Sequence, residues 1–312
     1  MAAIQISDDI FEEMKDKVIF ITGMHVSHSI ATNNKPEMLI KSGGASGIGK
    51  ATAELCLKHG AIVIIGDVNH LPSDLEISEK LKFIQLDVSS WENQRDAFIQ
   101  VEEWFGRIDH VFANAGIGPT TNFLDDNLDE NGQLTPPDLR TINVNLLGVI
   151  FTVRLAAYYI QKHSAHRASG ELGSIVVTAS TASFQNFSAG DYTVTKHGVL
   201  GLIRGIGYQL EGKVRLNAVA PSWTATGVVP TPFIEDLGVA VQGPEAVANS
   251  VGLLFSDQQR HQDVIYSWDW KYLEVNNAKG GLLAATNGIL VNSANEESVM
   301  RKMVEESALD KI

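Results

Sequence analysis

Tyr192 and Lys196 stand four residues apart in a stretch with helical periodicity, so their side chains share one face. A phenol alone titrates near pH ~10, too high for ready proton exchange at neutral pH. An ammonium beside it favours the phenolate and lowers that value, which makes Tyr192 a candidate acid/base toward a substrate oxygen. Ser180, just past a predicted strand, is placed to hydrogen-bond the same oxygen. Asn145, on a long predicted helix upstream, is placed to anchor a water or a backbone group linked to Lys196. A bare Tyr-x-x-x-Lys is in most sequences a surface pair on a helix. The order strand, serine, tyrosine, lysine gives this one its weight.

A second cluster suits a dinucleotide. Gly44, Ser46, Gly47, Ile48 and Gly49 open a predicted helix. Glycines there permit a tight turn and close approach of a pyrophosphate to free N–H groups at the positive end of the helix dipole. Asp67 follows the next strand, at about the spacing expected of a carboxylate that hydrogen-bonds the adenosine ribose. It would repel a 2′-phosphate, and neither Val68 nor Asn69 brings a compensating cation, so NAD is expected over NADP. Asp87 and Asn114 close the two following strands, near the adenosine half.

These side chains need a scaffold, and the pattern supplies one. Strands are predicted at 17–22, 61–66, 81–86, 108–113, 173–178 and 214–219, and helices at 47–59, 93–105, about 137–163 and 192–210. Short apolar strands alternating with helices indicate βαβ units: an α/β, Rossmann-type, doubly wound parallel sheet covered on both faces, in a single domain over 1–312. Such sheets bind ligands at the carboxyl ends of their strands.

Composition narrows the function classes. A 312-residue chain that is 44% hydrophobic can bury a substantial core. A net charge of −13 disfavours nucleic-acid binding. The single cysteine, Cys56, sits in an apolar helical stretch and reads as a small core residue. The acidic N-terminus is unlike a signal peptide, and no apolar run has the length of a membrane span, so a cytoplasmic protein without membrane partners is expected. His25 and His28, and again His163 and His166, are three apart but have no third ligand in view; solvated histidines and no metal are expected.

In order along the chain, GGASGIG, Asp67, LDV at 86–88, ANAG at 113–116, VNLLG at 144–148, SIVVTASTAS at 174–183, YTVTK at 192–196 and NAVAPSWTAT at 217–226 resemble the short-chain dehydrogenase/reductase family over about residues 17–255. The ordered set is specific where any one motif is modest. The resemblance implies hydride transfer between a nicotinamide and a carbinol or carbonyl carbon. It implies Tyr192 as acid/base, Lys196 as its partner that also touches the nicotinamide ribose, Ser180 as the substrate-orienting hydroxyl and Asn145 as the proton-relay anchor. Thr224 and Thr226 match the segment that holds the nicotinamide carboxamide. The family also implies a homodimer or homotetramer. Within it the chain is similar to fungal members related to 15-hydroxyprostaglandin dehydrogenase, which often serve secondary metabolism. Trp223, Val228, Val229 and Phe233 suggest an apolar pocket and a lipophilic secondary alcohol or ketone as substrate.

Four features depart from that pattern. Residues 24–43 form an atypical insertion between Thr22-Gly23 and Gly44; removing them restores TGGASGIG. Turns of this kind usually have about 2–6 residues. The expectation is that the segment is foreign to the working enzyme, the translation of an unspliced intron. If it is genuine, the alternative is a catalytically weak or inactive NAD-binding homologue, with Met38-Leu39-Ile40 competing for the first strand. Ser222 replaces the usual glycine, the interval from Ser180 to Tyr192 is one residue short, and 266–312 is an extension without the family's final glycine-rich signature.

Overall fold

The computed structural model describes residues 3–23, 47–166, 168, 170–226, 231–290 and 298–303. In chain order the elements are strands β1 (Ala3–Ile4) and β2 (Val18–Thr22), helix α1 (Ile48–Lys58), β3 (Ile62–Asp67), β4 (Leu81–Gln85), α2 (Trp91–Phe105) and β5 (His110–Ala113). There follow α3 (Arg140–Lys162), β6 (Ser174–Thr178), α4 (Gly190–Leu210), β7 (Arg215–Pro221), α5 (Thr231–Asp236), α6 (Pro244–Ser256), β8 (Val264–Trp268), β9 (Lys271–Glu274) and α7 (Leu282–Ile289).

One nine-stranded sheet runs β1-β9-β8-β7-β6-β5-β2-β3-β4. From β4 to β8 neighbouring strands are parallel, with Thr22 opposite Gly66 on one side and Ala113 on the other. The connection order reverses at β2, between β3 and β5, which makes the carboxyl end of β2 the topological switch point. The expected doubly wound parallel sheet is there, and β9 and β1 extend its far edge antiparallel, with Ile265 opposite Glu274 and Ala3 opposite Leu273. The unassigned extension from 266 therefore begins inside the sheet. Its hairpin turn places Asp269 and Trp270 at φ 48° and 60° without a glycine.

The strands sort their side chains by period two. Val18 and Phe20 of β2 face one core with Phe98, Val153, Ile160, Val199 and Ile203, under α2, α3 and α4. Ile19 and Ile21 face the other, with Phe11, Met14, Cys56, Val251 and Phe255, under α1 and α6. Cys56 is buried as expected, and burial pushes its thiol pKa up. Arg215 is also fully buried. Its guanidinium donates to the carbonyls of Leu254 (2.6 Å), Phe255 (2.6 Å) and Asp257 (3.0 Å), satisfying the last turn of α6.

Helix α3 is long and apolar enough to cross a membrane by length and composition, yet half of its apolar window is buried, against the sheet and α2. His163, expected in solvent, is buried at its end, with Nε2 2.7 Å from Glu102 Oε1. Among the described residues no group of three or more potential ligands could hold a metal. His25, His28 and the side chain of His166 lie outside the described residues.

Candidate active site and dinucleotide cleft

Val18–Thr22, five buried residues in register with both neighbours, fills the place of the first parallel strand, so Met38-Leu39-Ile40 is not needed there. The chain leaves β2 through Gly23, at φ 76°, whose N–H donates to Gly66 O (2.8 Å). A Cβ at Gly23 would lie 2.3 Å from Ala115 Cα. A Cβ at Gly49, on the first turn of α1, would lie 2.2 Å from Gly23 O. The two halves of the interrupted glycine motif thus abut, and only glycine fits at either point. Gly47 and Ile48 sit at the start of α1; Gly44 and Ser46 lie outside the described residues.

Beside Gly23 opens a cavity of about 310 Å³, lined among others by Asp67, Asp87, Val88, Ile117 and Arg140. Asp67 is 4% exposed at the end of β3, where its Oδ1 accepts from Asn69 N (2.8 Å). Asp87 is exposed at the mouth and accepts from Ser89 N and Oγ, a local turn that leaves it on the cavity wall. The cation on this wall, Arg140, is held by Asp138 (Nε to Oδ2, 2.6 Å). Asn114 does not line the cavity. It ties strand ends together, donating Nδ2 to Gly23 O (2.6 Å) and accepting from Thr178 Oγ1 (3.1 Å).

The chemical cluster lies on the other side of this tie. Lys196, 3% exposed on α4, donates Nζ to Thr178 O (2.7 Å), and Nζ lies 5.5 Å from the Tyr192 ring centroid. Burial pushes Lys196 down to about 8. Tyr192 departs from the expected direction. Burial, the larger influence, raises the phenol above its ordinary value, and a hydrogen bond from Ser180 pulls the other way. Nζ sits over the ring face and is hydrogen-bonded to Thr178 O rather than to the phenol oxygen. Ser180 also caps the short 3₁₀ helix Thr181–Ser183, accepting from Ala182 N (3.2 Å).

Asn145 is fully buried in a π-helical turn, Asn143–Leu147, that interrupts α3. The wider turn lets the side chain pair with both backbone groups of Ile117, accepting from N (2.8 Å) and donating to O (2.8 Å). Thr224 is buried, donating Oγ1 to Ser222 O (2.8 Å) and accepting from Gln242 Nε2 (3.2 Å); Thr226 is partly buried in the same segment. Gln242, unremarked in the sequence, braces this segment, also bonding Ser267. Phe187 stands 6.4 Å from the Tyr192 ring and 5.9 Å from Trp223, an aromatic wall beside the phenol. Val228, Val229 and the side chain of Phe233 lie outside the described residues.

A family model described as short chain dehydrogenase matches residues 38–233, so its match starts after β2 and within the inserted segment. The chain is 39% identical over 258 residues to the short-chain dehydrogenase/reductase ascJ of Acremonium egyptiacum, covering 82% of this chain and 86% of that protein. It is 35% identical over 226 residues to short-chain dehydrogenase reductase 3b of Arabidopsis thaliana, covering 70% and 82%. Among solved structures it resembles ligand-free aldohexose dehydrogenase of Thermoplasma acidophilum (TM-score 0.61, 22% identity, 82% of this chain and 94% of that one). It also resembles a 3-ketoacyl-(acyl-carrier-protein) reductase of Brucella melitensis complexed with NADH (TM-score 0.60, 22% identity, 78% and 93%). The structural likenesses bear on the fold alone.

Proposed function

We propose, for a chain that belongs to the short-chain dehydrogenase/reductase family, the reversible oxidation of a lipophilic secondary alcohol to its ketone with NAD. Membership makes it an oxidoreductase acting on CH–OH groups with a nicotinamide cofactor. The observation that carries the finer reading is the convergence of Ser180, Tyr192 and Lys196 beside an aromatic wall, joined through Thr178 and Asn114 to a glycine-floored cleft.

The dinucleotide fits this cleft. Gly23 and Gly49 leave no room for a side chain, and Asp67 offers a carboxylate in the cavity wall. Gly47 and Ile48 at the start of α1, with Gly44 and Ser46 before them, would receive the pyrophosphate. Asp67, with Asp87 at the mouth, would hold the adenosine side, and Asn114 would keep the strand ends spaced for it. Thr224 and Thr226 would face the carboxamide. When bound, the nicotinamide supplies or accepts the hydride. In the reducing direction the Tyr192 hydroxyl delivers the proton to the carbonyl oxygen, which Ser180 orients; in the oxidising direction the phenolate takes it back. Lys196 would touch the ribose of a bound nucleotide, and its charge would support the phenolate; Asn145 holds Ile117, which would serve the relay that replenishes the proton.

Trp223 and Phe187 favour a lipophilic substrate, and the fungal relatives accord with a place in secondary metabolism. The protein is read as cytoplasmic, and α3 packs half of its apolar window against the sheet and α2. It is also read as a homodimer or homotetramer, because Leu147, Ile150, Tyr158 and Val194 expose apolar surface along α3 and α4. Light scattering at micromolar concentration checks this, and a monomer would overturn it. The function itself is tested by following the near-ultraviolet absorbance of reduced nicotinamide with a panel of secondary alcohols and ketones. No turnover by protein that binds NAD in calorimetry would favour the inactive-homologue reading.

A further inference from the structure

The residue before the phenol, Asp191, is a carboxylate with no solvent exposure. Among the described residues no lysine, arginine or histidine forms an ion pair with it. A buried unpaired carboxylate is costly unless hydrogen-bond donors surround it. Here they do, and they come from three separate elements. Oδ2 accepts from Thr141 Oγ1 (2.6 Å) in the first turn of α3, and from Thr120 N (2.8 Å), Thr120 Oγ1 (3.3 Å) and Thr121 N (3.3 Å) in the loop after β5. Oδ1 accepts from Tyr192 N (2.7 Å) in the first turn of α4, where a negative charge also suits the helix dipole.

That loop is the one whose Ile117 lines the cleft and is gripped from α3 by Asn145. It is therefore fixed at one end to the cleft and at the other to the residue next to the phenol. We infer that Asp191 is a positioning residue: its carboxylate clasps Thr120, Thr121 and Thr141 and so sets the place of Tyr192 against the dinucleotide cleft. This rests on the oxidoreductase reading for its kinetic consequence, but the clasp itself does not.

In Asp191→Asn one acceptor oxygen becomes an NH₂ donor facing other donors. The expected result is a 10- to 100-fold fall in kcat, a KM for NAD within twofold of wild type, a larger primary deuterium isotope effect on kcat/KM, and faster amide exchange at Thr120 and Thr121. Thr141→Val removes one donor with little change of shape. It should give a smaller loss in the same direction, which keeps the test open should Asp191→Asn fold poorly. A merely structural staple would lower the active fraction and leave the isotope effect of the surviving molecules unchanged. That outcome, or wild-type kcat with wild-type exchange at Thr120 and Thr121, would overturn the inference. Absence of turnover by the wild type on every substrate would instead defeat the oxidoreductase reading, and the exchange measurement would still decide the clasp.

Discussion

The Lys196 ammonium lies 5.5 Å from the centre of the Tyr192 ring while it donates a hydrogen bond to the carbonyl of Thr178, 2.7 Å away. Lysine and phenol are thus neighbours without a direct hydrogen bond, and Ser180 is the group that lowers the phenol's affinity for its proton. Tyr192→Phe removes the exchangeable proton and keeps the ring. Activity is expected to fall by about 10²- to 10⁴-fold, the usual worth of a positioned acid/base, while calorimetry still shows NAD binding. Lys196→Ala should impair both binding and turnover. Near-normal turnover by Tyr192→Phe would dispose of the mechanism.

Lys196 also gives stability a pH dependence. Its folded pKa of about 8 lies below the ordinary 10.5, so between those values the unfolded chain binds more protons and stability climbs as pH rises. Below about pH 8 the burial penalty stands in full, about 3 kcal/mol at 1.36 kcal/mol per unit. Lys196→Met removes it, at a pH-independent loss of about 1 kcal/mol for the Thr178 hydrogen bond. Relative to wild type, the variant should therefore be most stable near about pH 7 and lose that advantage toward about pH 9.5. A Tm difference that stays flat over this range would contradict the burial argument.

At the other end of the cleft, the proposed preference for NAD over NADP rests on Asp67. A buried carboxylate that accepts from ribose hydroxyls contributes about 1.5–3 kcal/mol, so Asp67→Ala should weaken NAD binding about 10- to 100-fold. NADP binding should change little or improve, because the repulsion goes with the carboxylate. Equal affinity of the wild type for both nucleotides, measured by calorimetry, would end this reading.

The central strands and their helices are legible because each carries an apolar run with the right period, as in Ile62–Asp67 and in Ala97 and Val101 of α2, although Trp104, at the same helical spacing, is exposed. The antiparallel edge is not. Strand β1 has two residues, β9 lacks an apolar run, and the turn between β8 and β9 bends through Asp269 and Trp270 without the glycine that marks a hairpin. Helix α6 is announced in the sequence by Gly243-Pro244 at its start. At the site, Tyr192, Lys196, Ser180 and Asn145 could be picked out by order and spacing. Asp191 could not, since its partners Thr120 and Thr141 are brought to it by the fold alone. The burial of His163 is hidden from the sequence for the same reason: Glu102, which covers it, lies on another helix.

The last prediction concerns residues 24–43. Gly23 O is held by Asn114 Nδ2 at 2.6 Å, and Gly49 is packed so closely on that oxygen that a Cβ would sit 2.2 Å from it. The two ends of the interrupted motif are therefore already in contact. With 24–43 removed, Gly44, Ala45 and Ser46 remain to join Gly23 to Gly47, and three residues can span about 10 Å. Closing a loop of that length rather than one including the insertion saves about 2 kcal/mol of chain entropy, at about 0.6 kcal/mol per doubling. The deletion variant should thus fold with an equal or higher Tm. It should also bind NAD at least tenfold more tightly in calorimetry, because the pyrophosphate turn regains its short form. The mature transcript is expected to lack these codons. A transcript that retains them, together with full-length protein binding NAD as tightly as the deletion variant, would show that the segment is a tolerated part of the enzyme.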